Sequence, residues 1–159
     1  MNNKELIGKV HSSVYHQCKE RGYATPVDML MDIGVLTKAK YEDWRFGRIP
    51  FLEAACTVNL HRLSFAMKQM RSYARKAGLK PSYCYYKRWG VKKKPGQKRP
   101  VLPLRFSKSG NPVVEKWYST HYVDSKRITE IKQAAFAEND EERSSPEVEV
   151  SDGKPQNLS

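Results

Sequence analysis

The sequence predicts a mainly α fold: a compact helical domain with a long central helix, a small basic β-hairpin or irregular arm, and a disordered acidic C-terminal tail. Three observations predict it. Apolar residues recur at spacings of three and four through much of the chain before residue 78, as in helices with one buried face. Thr-Pro, Asn-Pro and Gly stand where such helices should begin and end. From residue 79 to 106 that period gives way to aromatic, lysine-rich and Pro/Gly-rich sequence. A chain of 159 residues suits one domain, residues 4–136, followed by a tail over 137–159.

The first helix is expected over residues 4–21, with Ile7, Val10, Val14 and Cys18 on one face and Gly22 as its stop. Thr25-Pro26 reads as an N-cap and first helical residue, with Asp28 in the first turn of a short helix from Val27 to Ile33. Thr37 caps a third helix, Lys38 to Phe46, stopped by Gly47. Pro50 opens the fourth and longest, which ends near Ala77-Gly78. In it Leu52, Cys56, Leu60, Leu63, Met67, Met70 and Ala74 form one narrow face over about six turns. That face is core or a homodimer seam, and His61, Lys68, Arg71 and Arg75 fall on the stripe beside it.

Tyr83, Tyr85, Tyr86 and Trp89 suit a strand, as does Val101–Phe106, so a hairpin is predicted with a mobile loop over 90–100. On such a strand Tyr83, Tyr85, Lys87 and Trp89 share one side, and Tyr86 and Arg88 the other. Asn111-Pro112 opens a further helix, with Val113, Val114, Trp117, Tyr118, His121 and Tyr122 along one side. An amphipathic piece from Ser125 to Phe136 leads into the acidic tail.

Charge is distributed unevenly. Residues 1–53 hold 8 basic and 7 acidic side chains. Ala54 to Val114, 61 residues, contain no Asp or Glu and 15 Lys and Arg; from Ala137 onward the balance is 7 acidic to 2 basic. Surfaces normally mix both signs, so such a stretch creates a positive field that an anionic partner relieves. A polyphosphate backbone is the commonest one, since each neutralised phosphate releases counterions.

The expected function is therefore non-catalytic nucleic-acid binding, with an adaptor for an acidic protein as the alternative. Phosphate contacts are assigned to Lys68, Arg71 and Arg75 on the long helix, Lys87 and Arg88 on the arm, Lys92, Lys93, Lys94, Lys98 and Arg99 in the loop, and Arg105. Base contacts are assigned to Lys38, Lys40, Arg45 and Arg48, and to stacking by Tyr83, Tyr85 and Tyr86. The segment RFSKSGNP (105–112) offers Arg105, Lys108, Ser109 and a Gly turn opening a helix, which could grip one phosphate. The acidic tail is expected to compete with nucleic acid for the positive surface.

Residues 26–50 contain a Gly-bearing turn at Gly34, a helix from Lys38, and then Trp44, Gly47 and Pro50. This resembles the second half of a phage-repressor-type helix-turn-helix. The resemblance implies that Lys38 to Arg45 enter the major groove, and it tilts the expectation slightly toward DNA over RNA. The turn between Gly34 and Trp44 is one residue longer than in that pattern, the Gly-to-Pro spacing one shorter, and Glu42-Asp43 would face phosphates. YEDWRFGRIPFLE and RFSKSGNP also resemble segments of short uncharacterised bacterial proteins, a resemblance that implies no activity.

Other classes find little support. No apolar run reaches the roughly 18 residues of a membrane span, and no secretory apolar core is present. Cys18, Cys56 and Cys84 are odd in number and form no C-x-x-C pair, which points to a reducing cytoplasm. His11, His16 and Cys18 share a helical face without metal-site spacing, so no metal or cofactor is expected. Glu115, His121 and Asp124 are the nearest approach to a nuclease constellation.

Overall fold

Five helices begin on a side-chain oxygen that accepts a backbone N–H two or three residues on: Asn2, Thr25, Thr37, Asn59 and Asn111. Asp124 does the same for a sixth by accepting from Arg127 N–H at 3.0 Å. Such caps satisfy N–H groups that have no partner inside the helix. The structure, a computed structural model, describes residues 1–144. It is 57% helical, with seven helices and one three-stranded antiparallel sheet. In chain order these are α1 (Asn3–Arg21), β1 (Tyr23–Ala24), α2 (Pro26–Asp32), α3 (Lys38–Arg45), α4 (Leu52–Ala55), α5 (Leu60–Lys76), β2 (Lys80–Tyr83), α6 (Pro112–Ser119), β3 (Thr120–Val123) and α7 (Ser125–Ser144).

The helix α1 packs along α5, and Leu6, Val10 and Val14 share one buried core with Leu63, Met67 and Met70 of α5 and Met29 and Leu30 of α2. The sheet runs β1-β3-β2, with Tyr23 opposite Val123 and Tyr83 opposite Thr120. Beyond β2, Cys84 N–H donates to Ser119 O at 3.2 Å, which sets the alternation of the ladder. Lys80 and Ser82 therefore bond toward β3, and Pro81 and Tyr83 turn their backbone outward.

Three expectations are corrected. The fourth helix is not continuous: Cys56 is extended (φ −85, ψ 149), Thr57 donates its N–H to Val35 O at 2.9 Å, and Asn59 caps a fresh start. The apolar stripe breaks with it, and Leu60 is 57% exposed. The helix opened by Asn111 stops at Ser119, because Thr120–Val123 becomes the central strand, with Thr120 and Tyr122 facing the interior. The last helix runs eight residues past Phe136 to Ser144, through a segment with three Glu, one Ala and one Arg, all good helix formers. The rest of the expected tail, 145–159, lies outside the described residues.

A strap over residues 105–108 ties the chain together. Arg105 O accepts both Trp44 Nε1–H at 2.8 Å and Leu52 N–H at 3.2 Å. Glu53 N–H donates to Phe106 O at 3.0 Å, and the Glu53 carboxylate accepts Lys108 N–H at 2.8 Å and the Tyr118 hydroxyl at 2.9 Å. From the other side, Glu115 accepts Phe106 N–H at 3.0 Å, Ser107 N–H at 2.6 Å and the Ser107 hydroxyl. The Phe106 ring lies 5.2 Å from Trp44, 5.4 Å from Tyr86 and 5.8 Å from Tyr118.

Hydrogen bonds to a charged acceptor are the strong ones, and leaving their donors buried without a partner costs more than the bond contributes. Replacing Glu115→Ala should therefore lower unfolding stability by about 2–4 kcal/mol in urea titration, and Glu115→Gln by less. A Glu115→Ala variant as stable as the native chain would show that the strap does not hold the fold.

Candidate nucleic-acid interface

The cations expected to meet phosphate fall into groups with different surroundings. On α5, Lys68 and Arg75 are exposed, seven residues apart and so about two turns along one side. Between them Arg71 is half-buried, its guanidinium 4.0 Å from the Trp117 ring centroid. Its Nη1 is buried with no hydrogen-bond partner among the described residues. Burial pulls its pKa down from the ordinary arginine value, and the indole face takes the place of a hydrogen-bonding partner. Arg71 therefore anchors α5 to α6 and is not free to reach a phosphate.

Next to this rail, Lys116 Nζ lies 4.8 Å from the Tyr83 ring, and Lys80 is exposed on β2. Tyr83 is 62% exposed and Tyr85 88%. A groove of about 420 Å³ runs beside Trp117, lined by Leu60, Met67 and Val114.

The second group forms where the arm, residues 84–104, folds over α3. The expected hairpin is an irregular arm with one bridge, Lys87 opposite Pro103, plus Arg88 N–H to Leu102 O and Leu104 N–H to Tyr86 O, both at 2.8 Å. Proline at residues 100 and 103 removes donors a regular ladder would need. Trp89 N–H donates to Arg45 O at 2.7 Å. The Arg45 guanidinium sits 4.5 Å from the Trp89 ring and 5.1 Å from Tyr86, and donates to Tyr41 Oη at 3.0 Å. Arg88 lies across Gly47, where a Cβ would come within 2.5 Å of its Nε and the backbone φ is +75, so glycine is required at that turn.

Several assigned residues are thus placed differently from the expectation. Arg45 and Arg71 pack against rings, and Arg88 lies along the Gly47 backbone while remaining exposed. Arg48 pairs with Asp43 at 3.1 Å. Arg105 curls back onto the carbonyls of Ser107 and Lys108. Tyr86 is largely enclosed by Trp44, Phe106 and Arg45, burial pushes its phenol pKa up, and its ring is taken up by these contacts. In RFSKSGNP the backbone donors are already engaged: Lys108 N–H by Glu53, Gly110 N–H by the Ser107 hydroxyl oxygen, and Phe106 and Ser107 N–H by Glu115. Lys38, Lys40, Lys68, Arg75, Lys87, Lys92, Lys93, Lys94, Lys98 and Arg99 are exposed. Lys80, Lys116 and Trp117 join the surface without having been singled out. Lys116 follows Glu115 and so falls just outside the acid-free count.

Among the described residues three ion pairs occur, Arg21–Asp28, Arg48–Asp43 and Arg127–Glu130, and none uses a cation of the 54–114 stretch. The two carboxylates that bound the stretch, Glu53 and Glu115, both point into the strap.

The nuclease constellation is not assembled. Glu115 holds the strap, Asp124 caps α7, and His121 lies between the rings of Tyr23 and Tyr86. Among the described residues no three His, Cys, Asp or Glu side chains are placed to hold a metal ion. Burial pushes the Cys18 thiol up to about 11 and Cys56 to about 12, so both stay protonated at neutral pH. No described helix is long and apolar enough to cross a membrane. No family model, curated protein or solved structure matches this chain.

Burial, aided by Arg21, lowers the His121 pKa from its ordinary 6.5, so the folded protein favours the neutral ring. The unfolded chain then binds the extra proton, and stability present above about pH 6.5 is lost as the pH falls toward the folded value. Unfolding midpoints should drop between pH 7 and 5, and His121→Phe should flatten that interval. An identical decline in the variant would assign it to other groups.

Proposed function

We propose that the protein binds nucleic acid, gripping the phosphate backbone with exposed cations of α5, the arm and β2. The observation that carries this reading is the state of the 61-residue stretch without carboxylates. Its cations form no ion pair among the described residues, and the acids on either side are turned away into hydrogen bonds. Lys68 and Arg75 supply fixed positive charge on a helix. Lys92, Lys93, Lys94, Lys98 and Arg99 supply charge on an exposed loop, and such contacts position a backbone without reading sequence. The lysines among these suit the task, since an ammonium binds phosphate as a point charge from any direction.

Duplex DNA read through α3 is the second reading; what favours it is the helix-turn-helix resemblance together with the exposure of Lys38 and Lys40 on the first turn of α3.

Binding should weaken steeply with salt, log K falling by roughly 0.7–0.9 per phosphate contacted for each decade of salt. Changing all five cations of the 92–99 loop to Ser should reduce that slope, and Lys68→Glu with Arg75→Glu should lower affinity for every sequence alike. Fluorescence anisotropy with labelled DNA and RNA between about 50 and 200 mM salt reads both. An affinity flat across that range, with an acidic protein copurifying instead, would overturn the proposal in favour of an adaptor.

A further inference from the structure

We infer that the bound strand is unpaired, its bases stacking on Tyr83 and Tyr85 while its phosphates lie on the lysines beside them; this rests on the nucleic-acid reading above. Exposed phenol rings close together in the chain offer flat apolar surface that a partner can cover. Tyr85 is 88% exposed and makes no ring contact, hydrogen bond or ion pair with any described residue. Tyr83 is 62% exposed and meets one cation, Lys116, at 4.8 Å.

Exposure alternates from Tyr83 to Tyr86, with Cys84 and Tyr86 turned inward and the two exposed rings on the outer side. Two residues along an extended chain put their backbone positions about 6.5 Å apart. That is close to two stacking layers, given 3.4 Å per nucleotide along a stacked strand. Lys80 precedes the pair on β2, Lys87 follows it, and Lys116 approaches from α6. Rings interleaved with ammonium groups are the arrangement that takes single strands, because every base has a π face and every nucleotide a phosphate.

A duplex presents base edges in its grooves and hides base faces within the stack. Flat exposed rings therefore have no purchase on paired DNA or RNA. The inward turn of Glu115 matters here too, since its carboxylate next to Lys116 would otherwise repel the backbone.

The test is an anisotropy titration of the full chain with four labelled probes of about 15 nucleotides: single-stranded DNA, single-stranded RNA, the matching duplex, and a sugar-phosphate strand lacking bases. The native protein should bind both single strands more tightly than the duplex or the abasic strand. Tyr83→Ala with Tyr85→Ala should weaken single-strand binding by about tenfold or more and leave the duplex, the abasic strand and the salt slope unchanged. Tyr85→Phe, which keeps the ring, should behave as native. Equal or tighter binding of the duplex, or single-strand affinity indifferent to the double substitution, overturns the single-strand assignment while salt-dependent binding of phosphate persists. If no probe binds in a salt-dependent way, the nucleic-acid reading falls and takes this inference with it.

Discussion

Two carboxylates gripping one short strap hold this molecule in register. Glu53 and Glu115 approach residues 105–108 from opposite sides. The same four residues receive Trp44 and the first N–H groups of α4. Helices from the first third of the chain and the last third are thereby joined through a segment with no regular secondary structure of its own. An irregular segment can hold this position because its backbone groups find partners in side chains and helix ends. The aromatic cluster of Trp44, Tyr86, Phe106 and Tyr118 forms around Phe106 and depends on the strap holding that ring in place.

The same arrangement shapes the electrostatics. Carboxylates that would stand at either end of the cationic stretch are withdrawn to hold backbone, and positive charge is left without a counterpart. Arginine and lysine then divide the work. Arg45 and Arg71 lie on indole and phenol faces, where a planar guanidinium packs well, and Arg88 fills the turn at Gly47. The lysines, which are more strongly hydrated, stay in water. Total basic charge and charge available to a partner are therefore different quantities, and the second is set by packing.

Much of the framework was legible locally. Thr25, Thr37 and Asn111 cap helices where their spacing predicted, and Gly22 stops α1 in the left-handed conformation. What was not legible depends on partners distant in the chain. The apolar spacing runs on through Cys56 and Leu60, and only the bond from Thr57 to Val35 and the cap at Asn59 reveal the break between α4 and α5. β1 and β3 are two and four residues long, and their partners lie about a hundred residues apart, so no short window contains a signal for them. On the surface, the acid-free stretch could be counted from the sequence. Which of its cations were free could not, because Arg71 meets Trp117 and Arg88 meets Gly47 across 46 and 41 residues.

Pro81 carries a consequence for association between copies. As the outermost strand, β2 would ordinarily offer unpaired amides to any extended chain, including its own counterpart in another molecule. At Pro81, one of the two positions whose backbone turns outward, the amide hydrogen is missing, and Lys80 beside it adds charge repulsion between like edges. Sheet-to-sheet docking is disfavoured at the very margin where aromatic rings lie open, so that margin can stay uncovered without inviting self-assembly.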